Sequence, residues 1–543
     1  MRVPTTPCLF VALALSVFLP SSAIARQKPD AATAAWWAQT TALSNDSMEG
    51  RDTGTAAYER AAKYVAAQFT SAGLKPAGDN GTFFQSVPMN QTDLDLTRSS
   101  VEIKYFDPTQ KPVSLKLLHE VTIAPRQKQA ADIVSRMVFL GYGQPLPGPD
   151  ETFDGLKSLQ GAVAVIFNNT PAGLSPQEAA AFIARRNRAL LADGVAAILS
   201  IDNPAATEPS HWPVAYARSV VIQAPGTFPP PPPPAPASQP PQQLRISAEA
   251  AAKLFAGDPA HPFADILRDG EKGLPLPSFA MHAGLNITIR STSKDISSPN
   301  ILAILPGSDP KLASEYVALS AHLDGYGYGT PVLGDALYNG ALDDAAYVAT
   351  LIELAKQLHS KAPARSLLFC IFTGEEKGLL GSAWFTAHPT VPAENIVADL
   401  NLDQLRPIFP LNILTTEGLT DSTLGETVRT VASQFSIEIR PDLEPERNLF
   451  RRADNYNFVR IGVPIAGFIF GYDKGSPEEV IYRDWYARRY HKPQDDLNTP
   501  IDWAAAGKFN RFYATLTLAI ANDPARPHWL DSSPYSPHQH KTQ

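Results

Sequence analysis

The chain has 543 residues, a hydrophobic fraction of 44% and a net charge of −8. That length suggests more than one domain, and that apolar share allows a large core. An acidic balance without any basic tract excludes nucleic acid as a main partner.

The N-terminus carries Arg2, an apolar run Leu9–Leu19 and the small-residue step Ala23-Ile24-Ala25. This reads as a secretory signal at 1–25, cut after Ala25, and so as a secreted or periplasmic protein. The competing reading, a membrane anchor, meets a run too short to span comfortably. No other segment is apolar enough to cross a bilayer, so no membrane span is expected in the mature chain. Cys8 leaves with the signal, so Cys370 has no partner for an internal disulfide. Inside an oily stretch, Cys370 reads as a small buried hydrophobe.

Apolar and alanine residues from Ala57 to Phe69 recur at helical spacing, and Gly73 stops that helix. Alternating stretches from about 83 to 121 read as strands. A second unit is expected over 133–283. There "IVSRMVFLGYG", "GAVAVIFNN" and "GVAAILSID" are short buried strands, and a helical segment N-capped by Ser175 joins the last two. Strand, helix, strand implies a small α/β unit. Residues 224–242 are proline-rich, which favours polyproline II and an exposed loop. It reads as a spacer in preference to a docking motif.

A larger α/β pattern follows and fills 284–525, ahead of a C-terminal tail at 526–543; residues 26–132 are expected to be the N-terminal part of that same larger unit. "YVALSAHLD" is a strand ending at His322 and Asp324. "DDAAYVATLIELAKQLHS" is a helix starting near Asp343. "SLLFCIFTGEE" is a strand ending at Glu375 and Glu376, "IVADLNLDQL" one ending at Asp403, and "VPIAGFIF" a further strand. Open α/β sheets bind ligands at the carboxyl ends of their strands. Three separate strands place a histidine or an acid there.

The candidate ligands are His322, Asp343, Glu376, Asp403 and His491. Two imidazoles and three carboxylates suit zinc or another divalent first-row metal. Two ions sharing one carboxylate would acidify a water, and an acid beside them that is not a ligand would move its proton. Glu375, adjacent to Glu376, fits that base. Each residue also has a plainer reading. His322 could be a satisfied buried histidine; Asp343, Glu375 and Glu376 could be first-turn acids complementing helix dipoles; Asp403 could cap a turn; His491 could lie on the surface. The ordered set outweighs those single readings.

Five pieces, "SAHLDG", "NGALDDAA", "TGEEKGLLGS", "NLDQL" and "RRYHKPQDDL", span 320–497 and resemble, in order, the co-catalytic di-zinc aminopeptidases of metallopeptidase family 28, clan MH. The N-terminal "MEGRDTGT…GLKPAG" is similar to secreted bacterial members. The resemblance implies a three-layer αβα zinc-exopeptidase domain built on a mixed sheet, and two Zn2+. It implies that Asp343 bridges, with His322 and Asp403 completing one site and Glu376 and His491 the other. Glu375 would be the general base, and Asp324 would orient the His322 imidazole. The segment 133–283 resembles an inserted protease-associated domain that covers or guides the substrate.

There are two departures. Ala346 and Tyr347 stand where the family often has Ser-Gly, and Ala453-Asp454-Asn455 where it often has Ser-Asp-His. The second stretch lies near substrate in relatives, which makes Arg451, Arg452 and Asp454 possible substrate-pocket residues. Arg451 and Arg452 read more simply as partners of surface acids. The glycine loop Tyr326–Tyr328 is either a pocket wall or a flexible turn. The expected substrate is a peptide cut from its N-terminus. A carboxypeptidase, a one-zinc glutaminyl-cyclase-like acyltransferase and a receptor-like binding protein are the competing readings on this fold. The full ligand set argues against the last two.

Overall fold

The computed structural model describes residues 28–145, 153, 158–206, 210–223 and 240–536. The expected signal at 1–25 and most of the proline-rich run lie outside these residues. Among the described residues no helix is long and apolar enough to cross a membrane.

The architecture is α/β, with a large mixed sheet covered by helices. Four neighbouring strands run parallel in the order Ser366–Phe372, Tyr316–His322, Ile396–Asn401, Ile465–Phe470. All seven side chains of Ser366–Phe372 are buried. A strand covered on both faces has no reason to alternate polar and apolar residues, which is why its sequence is a continuous oily run. Register sets His322 beside Phe372 and Ser320 beside Asn401. The chain therefore leaves these strands at one edge, with His322 as the last residue of its strand and Glu375 and Asp403 close behind the ends of theirs. Ile413–Glu417 joins the same sheet antiparallel to Ile465–Phe470.

The helix Ala56–Ser71 begins at Thr55, whose hydroxyl caps Tyr58 N, and ends before Gly73 at φ 73°. Its buried face, including Tyr58, Val65 and Phe69, packs into the larger core with the helix Ala346–Leu358. The helix after Asp343 starts later than its sequence suggests. Residues Ala341–Ala345 form a wide turn, Asp343 and Asp344 have non-helical backbones, and the regular helix begins at Ala346. These two acids are not capping a dipole. Both are buried and turned to the sheet edge, with the amide of Asp343 held by the Asp495 carboxylate at 3.0 Å.

A second core surrounds Phe139, Phe167, Leu199 and Leu244. Its strands Ala130–Phe139, Val163–Asn168, Ala197–Asp202 and Gln242–Ile246 lie parallel in that order. The helix Pro176–Ala192 starts at Ser175 with a reciprocal capping bond to Glu178. Residues Val101, Ile103, Leu115 and Val121, from the stretch read with the N-terminal part of the larger unit, put their side chains into this second core.

One strand splices the two cores. Phe279–Leu305 pairs through its first half with Ser100–Tyr105 and Ala130–Phe139, and through its second half with Phe84–Leu94 and Ser366–Phe372. Arg218–Ile222 adds a second tie by pairing with Phe84–Leu94.

The loops that leave the sheet edge are held by Arg51, which is fully buried. Its guanidinium donates to the carbonyls of Leu323 (2.8 Å), Leu43 (2.8 Å), Asn339 (2.7 Å) and Gly340 (2.8 Å). Arg51→Met leaves four buried acceptors without a donor and should cost at least about 3 kcal/mol. Urea unfolding checks this; a loss under about 1 kcal/mol would show the clamp to be dispensable.

Candidate metal centre

Five side chains converge where the parallel strands end. His322 Nε2 lies 3.2 Å from Asp343 Oδ1 and 3.9 Å from Asp403 Oδ1. His491 Nε2 lies 3.4 Å from Asp343 Oδ2 and 3.3 Å from Glu376 Oε2. Asp343 thus offers one oxygen to each of two groups, His322–Asp343–Asp403 and Asp343–Glu376–His491. Within each group the nearest ligand atoms all fall within 4.8 Å of one another.

The chemistry of these atoms fits a cation. His322 Nε2, Asp343 Oδ2 and Asp403 Oδ1 are buried and, among the described residues, have no hydrogen-bond partner. Buried lone pairs are normally satisfied, so three converging orphans call for a positive ligand. A set of imidazole nitrogen and carboxylate oxygen, without thiolate, is what zinc and similar divalent ions accept.

Protein charges alone leave the cluster electrostatically frustrated. Burial pushes Glu376 up to about 7, even though the nearby imidazoles of His491 and His322 oppose it. Burial likewise pushes Asp403 up to about 6, against the pull of His322. Glu375 is raised by burial and by the charges of Asp403 and Glu376, with His322 opposing. Burial would lower the His322 imidazole, but Glu375, Asp343, Asp344 and Asp403 outweigh it and hold it well above the usual range. Asp343 goes the other way: burial would raise it, and its contacts with both imidazoles win and keep it ionised.

The surroundings fix the ligands. His322 Nδ1 meets the backbone carbonyl of Asp324 at 3.0 Å, so the main chain orients the ring. The Asp324 carboxylate, expected from the sequence to do this, stands 3.9 Å from that nitrogen. It instead accepts the amides of Glu375 (3.0 Å) and Glu376 (3.3 Å) and the hydroxyl of Thr53 (3.0 Å). The reason is positional: these amides point back from the adjacent strand end, and a carboxylate has room for several donors. On the other side, the Tyr326 hydroxyl contacts His491 Nδ1 at 3.0 Å.

A cavity of about 390 Å³ opens beside the cluster, lined by Asp343, Glu375, Glu376, Asp403 and His491 among others. Three of its wall residues, Leu379, Gln404 and His491, hold left-handed backbones at φ 59°, 62° and 53°. Such strain in residues with side chains gathers at functional sites. Arg451 and Arg452 line the cavity too. Asp454 is not among its lining residues: it is buried and accepts the Ser382 hydroxyl. Tyr326 is a wall and Tyr328 is exposed.

The second core reaches this site. Lys377, next to Glu376, is buried and donates to the Tyr216 hydroxyl at 2.5 Å, with Asp52 at 3.1 Å. Arg218 pairs with Asp52 and with Asp93. A larger cavity of about 1790 Å³ lies between the cores and shares Tyr326, Arg451, Arg452, Tyr490 and His491 with the smaller one.

Sequence reasoning missed Asp495 and Glu417 as parts of this region, and for Tyr326 it offered a pocket wall but not the contact with His491. Glu417 ends a strand, as Glu375 and Asp403 nearly do, so the same strand-end signal was present in "ILTTEG".

Residues 300–517 match the sequence model of a family described as Peptidase family M28. A probable zinc metalloprotease of Pyrenophora tritici-repentis is 32% identical over 262 residues, covering 42% of this chain and 58% of that protein. A probable leucine aminopeptidase 2 of Aspergillus oryzae is 25% identical over 246 residues, covering 42% and 46%. The chain spans about half the length of the curated relatives it matches. Among solved structures, an aminopeptidase from Aneurinibacillus sp. strain AM-1 is similar with a TM-score of 0.57 at 18% identity, covering 91% of this chain and 95% of that one. BSAP, a zinc aminopeptidase from Bacillus subtilis, is similar at 0.54 and 17%, covering 91% and 95%. These structures share the fold.

The raised carboxyls and the raised His322 predict a pH dependence in protein stripped by chelator. Folded-state pKa values above the unfolded ones, about 4 for the acids and about 6.5 for histidine, mean that the folded chain holds protons the unfolded chain has released. Stability is then lost as pH rises through these values. The melting temperature of chelated protein should fall between pH 5 and pH 8, and added zinc should remove most of the fall. A stripped protein that melts higher at pH 8 than at pH 5 would contradict the assignment.

Proposed function

Because residues 300–517 match the model of peptidase family M28, we propose that the protein is a zinc-dependent aminopeptidase that releases residues from the free N-terminus of peptides. The observation that carries this reading is the two-sided geometry of Asp343, with one carboxylate oxygen toward each histidine–acid group. His322, Asp343 and Asp403 would hold one ion and Asp343, Glu376 and His491 a second. Two divalent ions there would supply the positive charge that acidifies a water and meets the developing oxyanion.

The chain's own residues do the rest. Glu375 lines the cavity without belonging to either metal-holding group, so its carboxylate is free to take a proton from the attacking water and give it to the departing amine. Its place is set by its own amide on Asp324 Oδ1, which ties the base to the strand end that carries His322. Asp495 steadies Asp343 through the backbone, and Tyr326 steadies His491 through Nδ1. We further propose that 133–283 is a protease-associated-type insert whose Tyr216 and neighbouring loop roof the site. The protein is read as exported by way of the 1–25 signal.

Two experiments test this. Glu375→Gln should keep its zinc and its melting temperature and lose at least about 10²-fold in kcat on amino-acid p-nitroanilides. Retention of full activity would remove Glu375 from the base role. Dialysis against chelator should abolish hydrolysis by the wild type and zinc should restore it. Zinc-loaded protein that cleaves only N-blocked peptides would favour the carboxypeptidase reading, for which Arg451 and Arg452 in the cavity wall would be the carboxylate partners.

A further inference from the structure

Glu417 is a carboxylate that the proposed reaction does not use. It ends the strand Ile413–Glu417, is 8% exposed, and lines the 390 Å³ cavity alongside Asn401 and Asp403. Its Oε2 accepts from Asn455 Nδ2 at 2.7 Å. Among the described residues no donor reaches Oε1, and the charges that act on the group, those of Asp403 and Asp442, are both negative. Burial pushes the carboxyl up to about 7.

The neighbouring strand makes room for it. Glu417 is in register with Gly467, and a Cβ at that glycine would stand 2.7 Å from Glu417 Oε2. Any other residue at 467 would have to displace this side chain. The Asn455 that holds it is also one of the two residues at which the chain departs from the usual Ser-Asp-His pattern. The cavity's arginines do not neutralise Glu417. Arg451 and Arg452 are exposed at the rim, where the smaller cavity meets the larger one, with Arg451 over the Tyr456 ring and Arg452 3.4 Å from the Tyr490 hydroxyl. The inner wall of the cavity, with Glu375, Glu376, Asp403 and Glu417, is therefore rich in acids. A nearly buried carboxylate with one hydrogen bond and no cation is unfavourable unless a ligand brings the charge.

We propose that Glu417 is a specificity-determining residue that accepts the cationic side chain of a first-position lysine or arginine. This rests on the aminopeptidase reading, in which the free α-amine belongs at the metal centre and leaves the side chain to enter this cavity. Leu379, Leu449 and Phe468 line the same space and suit the aliphatic stem behind the charged end. A desolvated ion pair of this kind discriminates against an uncharged isostere by about tenfold or more.

The test uses zinc-loaded wild type and Glu417→Gln with the p-nitroanilides of lysine, arginine, norleucine and Nε-acetyl-lysine. Wild type should show kcat/KM for lysine and arginine at least about tenfold above norleucine and acetyl-lysine. Glu417→Gln should collapse the lysine-to-norleucine ratio by about the same factor. If wild type treats lysine and acetyl-lysine alike, the inference is overturned whether or not the variant folds. If the variant loses activity on every substrate in equal proportion, the ratio stands and Glu417 instead serves the α-amine or the fold, which also overturns it. Hydrolysis of none of these free-amine substrates by a protein that holds zinc would overturn the aminopeptidase reading itself, and this inference with it.

Discussion

Repulsion among buried carboxylates at the end of a parallel sheet sets the terms for the surrounding structure. Asp343 and Asp403 act on Asp344, Asp403 and Glu376 on Glu375, and Asp343 on Glu376 and Asp403, and burial removes the water that would screen these charges. His322 and His491 offset part of this. Arg406, three residues beyond Asp403, offsets more from behind: it is fully buried between the rings of Tyr482, Trp485 and Tyr486 at 4.8–5.4 Å. Its guanidinium nitrogens have no hydrogen-bond acceptor among the described residues. A cation held by aromatic faces and by nearby carboxylates is an arrangement that stands or falls with the acids it faces. The remaining imbalance is what makes divalent cations the natural completion of the site.

That constraint explains where the rest of the rigidity lies. Arg51 and Asp495 hold main-chain atoms of the loops around Asp343, one through carbonyls and the other through amides. Asp324 gathers the amides that follow the Glu375 strand. The ligands are thus fixed by backbone contacts on strand-end loops whose strands are buried on both faces. The same network crosses to the second core through Tyr216, Lys377 and Arg218, so the wall of the larger cavity is tied to the residue next to Glu376.

Much of this was legible in the sequence, for a physical reason. Doubly buried strands are oily without interruption, so an acid or histidine just past their end stands out; His322, Glu375, Glu376 and Asp403 are found that way. Ser175 announced its helix because a capping box is local chemistry. What escaped is non-local or sterically subtle. The helix after Asp343 starts at Ala346 because Asp495, over a hundred residues away, captures the backbone amides first. The carbonyl of Asp324, not its carboxylate, orients His322, and spacing alone cannot distinguish two acceptors on one residue. Glu417 carried the same strand-end signal in "ILTTEG", but the room that Gly467 leaves for it and its bond to Asn455 are non-local and needed the fold.

The strand-end carboxylates are proposed to hold two ions that share Asp343. Crystals of the protein grown with zinc, with diffraction data collected on both sides of the zinc absorption edge, test it most directly. Two anomalous peaks are expected, one among His322, Asp343 and Asp403 and the other among Asp343, Glu376 and His491, about 3.5–4 Å apart. A single peak that leaves Asp343 bound on one side only, or peaks elsewhere with the cluster bridged by protons and water, would contradict it.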